Sequence, residues 1–283
     1  MILWDGSRHD WLEGRGPRLC LMGAIDDATG ELLPGAHFVE QECTLGYLRV
    51  LRDIVRDKGV PLSAYMDRHS SLKRNDTNWT LAEQLAGGQE PTQVKRALDD
   101  LGIHVIYALS PQAKGRVERL WGTLQDRLVS ELRLAGACTI QQADRVLAKY
   151  QPEHNERFSV PPQEAGQAWR SCPPGFQAEE ICALQYARVV LNNNTVRVAS
   201  QVIDIPRVPG GRSTYAKAKV IVRHLLDGGY RIYFQGQQIA RVKGPRPTKR
   251  QGGIRTTWKW AEQKENRRRK RESQEGVTES LNS

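Results

Sequence analysis

"SPQAKGRVERLWGTLQDRLVSEL", residues 110–132, carries the pattern from which the fold of this chain can be argued. Apolar residues recur there at intervals of three and four, which predicts an amphipathic helix that buries one face. That face consists of Val117, Leu120, Trp121, Leu124, Leu128, Val129 and Leu132. Glu118 lies near the start of the helix, where it could pair with Lys114 four residues earlier or serve as a ligand in a site assembled from distant segments.

The segments before this helix alternate between strand and helix patterns. Two apolar runs flank "DDATG" in residues 18–42 and predict a hairpin, beside which residues 2–4 form a short strand. Thr44 is predicted to cap a helix that Gly59 ends. A strand (61–67), a helix (92–102), a strand (103–108) and, after the opening helix, a second long helix over Thr139–Tyr150 complete the series. This order predicts an α/β fold with a mixed sheet flanked by helices.

The sequence pattern changes after about Pro174. Residues 181–242 alternate between apolar and polar side chains, and the runs are separated by glycine-rich or asparagine-rich turns, which predicts five or six short strands in a small all-β, barrel-like domain. The predicted organisation is therefore an α/β domain over 1–172, a β-domain over 180–243 and a basic, disordered tail over 244–283.

The net charge of +10 is concentrated toward the end of the sequence. Residues 244–283 contain eleven Lys or Arg against five Glu, which leaves about +4 for residues 1–243. The densest part of the tail consists of Arg267, Arg268, Arg269, Lys270 and Arg271. Such a tail is either a solubilising extension or a nucleic-acid contact, in which each neutralised phosphate releases counterions.

Composition excludes several other classes of protein. No uninterrupted apolar run approaches the ~20 residues that span a bilayer, and "MILWDGSRHDW" does not resemble a signal peptide. The five cysteines are scattered and lack CxxC spacing, which favours reduced thiols over a disulfide framework or a zinc ribbon. The sequence predicts a cytoplasmic protein that has no membrane partner.

Three carboxylates stand next to predicted strands. Asp5 follows the first apolar run, Asp67 ends the strand "LSAYM", and Glu118 comes soon after the strand "IHVIYA". If these elements meet in one sheet, the carboxylates repel one another and need a counter-cation, for which Mg²⁺ or Mn²⁺ is suited. Two such ions about 3.5–4 Å apart could support an in-line phosphoryl displacement. The structural alternative is that Asp5 caps a turn, Asp67 ends a strand and Glu118 pairs with Lys114.

Four segments together resemble a known family. "WDGSRHDWLEGRGP", "IDDATG", "YMDRHSS" and "SPQAKGRVERLWGTLQDRLVSELRLAG" occur in the order found in the catalytic domain of DDE transposases of the retroviral-integrase superfamily. The resemblance covers roughly residues 1–170 and is closest to bacterial insertion-sequence transposases of the ISNCY type.

This resemblance implies an RNase H-like fold and a metal-bound triad of Asp5, Asp67 and Glu118, with two Mg²⁺ or Mn²⁺ ions. It also implies cleavage of transposon-end DNA and strand transfer into target double-stranded DNA by a homo-oligomer assembled on DNA, associated with the bacterial nucleoid. Similar enzymes also carry a small β-rich C-terminal domain.

The sequence departs from the family pattern in two respects. Fifty residues separate Asp67 from Glu118, more than in the compact integrase pattern. Similar transposases carry a helix-turn-helix region before the catalytic domain, whereas Asp5 lies at the start of this sequence. We therefore expect either a separately encoded helix-turn-helix subunit or an inactive, truncated DNA-binding remnant. A nuclease on the same fold is a further alternative.

Neighbouring residues receive weaker assignments. Asp26 and Asp27 compete with Asp5 for the first ligand position, although "IDDATG" resembles the hairpin turn that follows the catalytic strand in the family. His69 could contact a phosphate or cap the chain locally. Lys114 and Arg116 stand at the helix entrance, where long cations suit phosphate contacts but could equally form a solvated helix surface.

Overall fold

The computed structural model describes residues 1–74, 79, 81–108, 115–164, 166, 168–206 and 212–252. Its elements, in chain order, are β1 (Ile2–His9), β2 (Leu19–Asp26), β3 (His37–Val39), α1 (Thr44–Asp57), β4 (Val60–Pro61), β5 (Ser63–Met66), α2 (Leu81–Ala86), α3 (Gln93–Asp100), β6 (His104–Tyr107), α4 (Gly115–Leu134), α5 (Ile140–Phe158), β7 (Trp169–Arg170), α6 (Ala178–Ile181), β8 (Leu184–Val189), β9 (Thr195–Val198), β10 (Gln201–Asp204), β11 (Lys219–His224), β12 (Tyr230–Phe234), β13 (Gln237–Val242) and α7 (Lys249–Gly252).

The described residues form two compact units. The first contains those within 1–75, 91–183 and 248–253, and the second those within 76–90 and 184–247. None of the helices in the described ranges is both long enough and apolar enough to cross a membrane.

A five-stranded mixed sheet organises the first unit. Its strand order is β3-β2-β1-β5-β6, in which β1, β2 and β3 pair antiparallel, while β5 and β6 are parallel to β1. A tight hairpin can connect antiparallel strands, whereas parallel strands need a crossover, and here helices α1 and α3 provide the crossovers. This arrangement confirms the predicted mixed α/β fold and agrees with the RNase H-like sheet that the resemblance implied.

Helix α4 buries the face that its sequence predicts. All seven apolar residues of that face are at most 7% exposed. They join one core cluster with Leu3 of β1, Leu21 of β2 and Leu147 of α5. The helix is therefore fixed across the sheet by apolar burial, and this fixes the orientation of its polar residues.

The boundaries of two helices differ from the prediction. Thr44 is the first residue of α1 rather than its cap, since extended Cys43 precedes the helix and makes no side-chain capping bond. The boundary differs by one residue because the extended backbone conformation of the N-cap, with φ −157° and ψ 161°, falls on Cys43, so the buried Thr44 already belongs to the helix. Helix α5 begins as predicted after a Thr139 capping box but continues beyond Tyr150 to Phe158, with Pro152 inside it.

The predicted end of α1 is confirmed. Gly59 follows Lys58, the last residue associated with the helix, and has a φ of +99°. A Cβ at this position would also lie 2.6 Å from the carbonyl oxygen of Arg170. Glycine is therefore required both for the left-handed backbone and for the close approach of β7.

Six strands form the β-rich part of the second unit, as predicted. Strands β13, β12, β11 and β8 make a four-stranded antiparallel sheet, and β10 pairs with β9 in a two-stranded sheet. Residues 249–252 of the predicted tail form α7, and residues 253–283 lie outside the described part of the chain.

Buried His37 on β3 should make the stability of the protein depend on pH. Burial, and secondarily the charge of Arg49, lowers the pKa of His37 to about 4 from its ordinary value near 6.5. The unfolded state therefore binds a proton more readily, and stability should fall as pH decreases from about 6.5 to 4, by about 3 kcal/mol in total. Chemical denaturation across this range should show a shallower dependence for His37→Gln, whereas the exposed-residue control His104→Gln should behave like the wild type.

Candidate active site

Asp5 and Asp67 occupy equivalent positions on neighbouring parallel strands. Trp4 of β1 pairs directly with Met66 of β5, and each aspartate is the next residue along its strand direction. Trp4 and Met66 are buried on one side of the sheet, whereas both aspartates are partly exposed. Since side chains alternate between faces and neighbouring strands lie about 4.7–4.9 Å apart, the register places the two carboxylates side by side on the same face.

Helix α4 contacts the same face of β1 at two successive positions. The indole Nε1–H of Trp121 donates to Asp5 Oδ2 at 3.4 Å, and Gln125 Nε2 donates to Ser7 Oγ at 3.0 Å. Glu118 lies three residues before Trp121 on the helix, hence about one turn away on the same side. Its side chain is exposed. These two contacts align α4 with β1, and they place Glu118 on the side of the helix that carries Trp121.

A third carboxylate, not expected from the sequence, lies beside Asp5 and Asp67. Glu42 stands in the loop between β3 and α1, where the Tyr47 hydroxyl donates to its Oε1. His69 Nδ1 is 3.2 Å from the same oxygen. A Cβ on Gly6, the residue after Asp5, would lie 3.1 Å from Glu42 Oε2. Glycine at this position therefore leaves room for the carboxylate against β1.

The negative charge that accumulates here contributes to raised pKa values of two groups, the Glu42 carboxyl and the Cys20 thiol. Burial raises the pKa of Glu42, and Asp67 and Asp5 raise it further, although Tyr47 and His69 act in the opposite direction. Burial likewise raises the pKa of the Cys20 thiol to about 12, with added contributions from Glu42 and Asp5. A cation at this position would relieve the repulsion among the carboxylates.

Replacing Tyr47 by Phe should raise the pKa of Glu42 further. The hydroxyl of Tyr47 is the largest influence that lowers this pKa, because its hydrogen bond stabilises the charged carboxylate. A ¹³C NMR titration of the glutamate side-chain carboxyls would measure the change. Tyr65→Phe is the control, since it removes a hydroxyl from β5 without touching Glu42, and an unchanged Glu42 titration in Tyr47→Phe would refute the assigned bond.

The proximity of Glu42 could not be read from its local sequence. It precedes the N-cap residue of α1 by one position, where carboxylates are common for reasons that concern only the helix. Its approach to Asp5 results from long-range strand pairing, since β3 must join β2, and β2 must join β1, before the loop reaches the site.

The sheet register separates Asp26 and Asp27 from the Asp5 position. Asp5 pairs with Gly23, whereas Asp26 pairs with Ile2 at the end of the ladder, three pairs away. Asp26 accepts bonds from the Ala28 backbone N–H at 2.8 Å and from Trp169 Nε1 at 3.2 Å. These contacts give Asp26 a role in stabilising the hairpin turn, and Asp5 stays the prediction for the first ligand position.

Of the other predicted contact residues, His69 lies beside the carboxylates of Glu42 and Asp67. Its backbone N–H donates to Asp67 Oδ1 at 2.8 Å. Arg116 belongs to the first turn of α4, but its side chain, all of Lys114 and Arg267–Arg271 lie outside the described residues.

In the described part of the chain, no group of three or more His, Cys, Asp or Glu side chains is close enough together to hold a metal ion. The fold brings Asp5, Asp67 and Glu42 into one electrostatic neighbourhood. Glu118, on the helix above, would have to turn its exposed side chain toward Asp5 for the predicted triad to share an ion.

Two relatives place the chain among proteins named as transposases. It is 32% identical over 255 residues to a putative transposase, y4bF, of Sinorhizobium fredii, which covers 86% of this chain and 54% of that protein. It is also 32% identical over 229 residues to the transposase for insertion sequence IS1202 of Streptococcus pneumoniae, covering 81% and 47% of the two chains. The chain spans about half the length of these relatives. The predicted resemblance to transposases is confirmed, and the chain is a homologue of these proteins.

Solved structures with some likeness to the chain include an integrase catalytic core domain and an intasome. The catalytic core domain of BIV integrase matches 60% of this chain and 88% of its own, with 16% identity and a TM-score of 0.39. A simian T-cell lymphotropic virus intasome in complex with the PP2A regulatory subunit B56 gamma matches 87% of this chain and 79% of its own, with 13% identity and a TM-score of 0.40. No protein-family model matches the sequence.

Proposed function

We propose that the protein is a DDE polynucleotidyl transferase that cleaves transposon-end DNA and transfers the freed strand into target DNA. The register that sets Asp5 beside Asp67, under a helix carrying Glu118, is the observation on which this proposal rests. The homology to proteins named transposases supports it. The substrate is double-stranded DNA from the ends of a bacterial insertion sequence.

The residues present suit Mg²⁺ or Mn²⁺. The donors are carboxylate oxygens, which hard divalent cations prefer, and the local negative charge that raises the pKa of Glu42 favours a cation. Asp5, Asp67 and Glu118 are the residues that would hold the ions. Two bound ions would supply Lewis-acid stabilisation for the attacking and leaving oxygens of an in-line phosphoryl displacement.

The protein's own groups mainly orient the metal ligands and the DNA strand, and they transfer few protons. The Trp121 indole orients Asp5, and the His69 backbone N–H orients Asp67. Exposed Glu118 stands where a DNA strand can approach. We assign phosphate contacts to His69, Lys114, Arg116 and the basic run Arg267–Arg271, since side chains that donate to phosphate oxygens hold a DNA strand without reading its sequence.

Assembly on DNA is part of the proposal. Bringing two DNA ends together requires at least two active sites, so we propose a homo-oligomer formed on DNA.

A strand-transfer assay with end-labelled DNA tests the proposed function. In the presence of Mg²⁺ or Mn²⁺, the full chain should yield products in which labelled ends are joined to target DNA. An RNase H-fold nuclease would yield nicked DNA without joined products, and a non-catalytic remnant would bind DNA and leave it intact. Either outcome would contradict the proposal.

A further inference from the structure

Helix α7 packs against the first unit at the start of α1. A Cβ on Gly252 would lie 3.0 Å from the Thr44 side chain, so the two helices approach closely at this point. In the loop before α1, Gln41 Oε1 accepts a hydrogen bond at 2.5 Å from Lys249 Nζ. Glu42 lies between Gln41 and Thr44 in the sequence. Residues 249–252 are therefore anchored next to a carboxylate of the candidate active site.

The anchor has a buried inner side and a charged outer side. Gln251 and Gly252 are buried, whereas Lys249 and Arg250 are exposed. The Gln251 side chain also accepts a hydrogen bond from the Thr248 backbone N–H at 2.7 Å, which closes the turn. The chain that follows Gly252 therefore starts from a fixed place on the first unit.

A basic run follows the anchor at a short distance along the chain. Arg267–Arg271 reads "RRRKR", and its first residue is fifteen positions after Gly252. Fifteen residues can span up to about 50 Å, so the run can reach the carboxylates beside the anchor. A tether of this length also gives the run a local concentration of about the millimolar level. Even a weak contact would then form within one chain.

The carboxylates beside the anchor favour positive partners. Asp67 and Asp5 add to the effect of burial in raising the pKa of Glu42, so the negative charges of the three groups act on one another. Arginine binds carboxylates through two parallel hydrogen bonds and is more weakly hydrated than lysine. A run of four arginines and one lysine therefore matches this group of carboxylates in charge and in bonding geometry.

We propose that the basic run Arg267–Arg271 docks, within one chain, on the carboxylates of Asp5, Glu42 and Asp67 when DNA is absent. The docked run competes with metal ions for the same oxygens. DNA releases the run, because the arginines exchange the carboxylates for phosphates, and the site becomes free to bind metal. This inference rests on the proposed function, since that function brings DNA to the site.

Carbodiimide cross-linking of the full chain, without metal ions or DNA, tests the docking directly. The reagent joins amines to carboxyls, and Lys270 is the one amine in the run. Mass spectrometry should find Lys270 joined to a carboxyl of Asp5, Glu42 or Asp67, and a DNA duplex should abolish the link. Lys149, an exposed lysine of α5, is the control that should form no such link.

An equal mixture of ¹⁵N-labelled and unlabelled chains shows whether the link lies within one chain. Docking within one chain gives cross-linked peptides that are either wholly labelled or wholly unlabelled. Absence of the Lys270 link, or linked peptides that combine labelled and unlabelled chains, would overturn the inference.

Mn²⁺ binding by the full chain gives a second measurement. A run that binds with a Kd of about 0.1 mM at a local concentration of about 1 mM weakens metal binding about tenfold. The variant Arg267→Gln/Arg268→Gln/Arg269→Gln/Arg271→Gln should therefore bind Mn²⁺ about tenfold more tightly than the wild type. The control loses the same charge at four exposed cations of the second unit and should bind Mn²⁺ like the wild type: Arg197→Gln/Lys217→Gln/Lys243→Gln/Arg246→Gln.

Equal Mn²⁺ affinities of the run variant and the control would also overturn the inference. A chain that shows the predicted link and affinities but never joins DNA ends would instead contradict the proposed function alone.

Discussion

Replacing Glu118 by Gln should abolish metal-dependent strand transfer and leave DNA binding nearly unchanged. Glutamine keeps the shape of the side chain but removes the negative charge that would help hold the ions. Losing the several kcal/mol that a metal site contributes to transition-state stabilisation corresponds to a rate decrease of about 10³-fold or more. Quantification of joined products from end-labelled DNA measures this loss, and anisotropy on the same preparation measures binding.

Glu131→Gln is the matched control for this experiment. Glu131 is an exposed glutamate on the same helix, more than three turns after Glu118. It should retain wild-type strand transfer, since its charge lies far from Asp5 along α4. Strand transfer at the wild-type rate by Glu118→Gln would remove Glu118 from the proposed triad.

Replacing Trp121 by Ala should produce the largest loss of stability among the substitutions near the site. The indole is 6% exposed and belongs to the core cluster that joins α4 to the sheet. Truncating a buried tryptophan in this way costs about 3–5 kcal/mol, because the lost contacts leave a cavity that the surroundings fill only partly. Denaturant unfolding should show this decrease, whereas the same change at the half-exposed Trp79 should cost much less.

Trp121→Phe separates packing from the hydrogen bond to Asp5. Phenylalanine keeps an aromatic ring in the core, so we expect a stability loss of less than about 1.5 kcal/mol. It removes the Nε1–H that donates to Asp5. A hydrogen bond to a charged group contributes about 1.5 kcal/mol, so strand transfer should decrease by up to about tenfold. Unchanged activity would mean that Trp121 stabilises the helix without orienting Asp5.

Local patterning was sufficient to predict most of the first unit. The spacing of the apolar residues in α4 identified its buried face, and Gly59 identified the end of α1, because both depend on residues close together in sequence. The N-cap of α1 was predicted wrongly at Thr44, because the exact first residue of a helix depends on the backbone conformation of the residue before it, here extended Cys43, which side-chain patterning does not specify.

Two features of the structure depend on long-range pairing and were not predicted. Glu42 reaches Asp5 only through the register of three strands, and Arg223, Arg231 and Arg241 stand opposite one another only after β11, β12 and β13 pair. The tail was predicted to hold most of the basic charge, although residues 184–247 carry a net charge of +9 against +6 for residues 244–283. Counting charge within the boundaries of the β-rich segment would have found this concentration, but not its alignment.

A titration with Mn²⁺, followed by electron paramagnetic resonance, tests the central claim most directly. The claim is that Asp5, Asp67 and Glu118 form one metal site. We predict two bound Mn²⁺ ions per wild-type chain and weaker or lost binding for Asp5→Asn, Asp67→Asn and Glu118→Gln, with Glu131→Gln unaffected. Wild-type Mn²⁺ binding in the Asp5→Asn and Asp67→Asn variants would contradict the account.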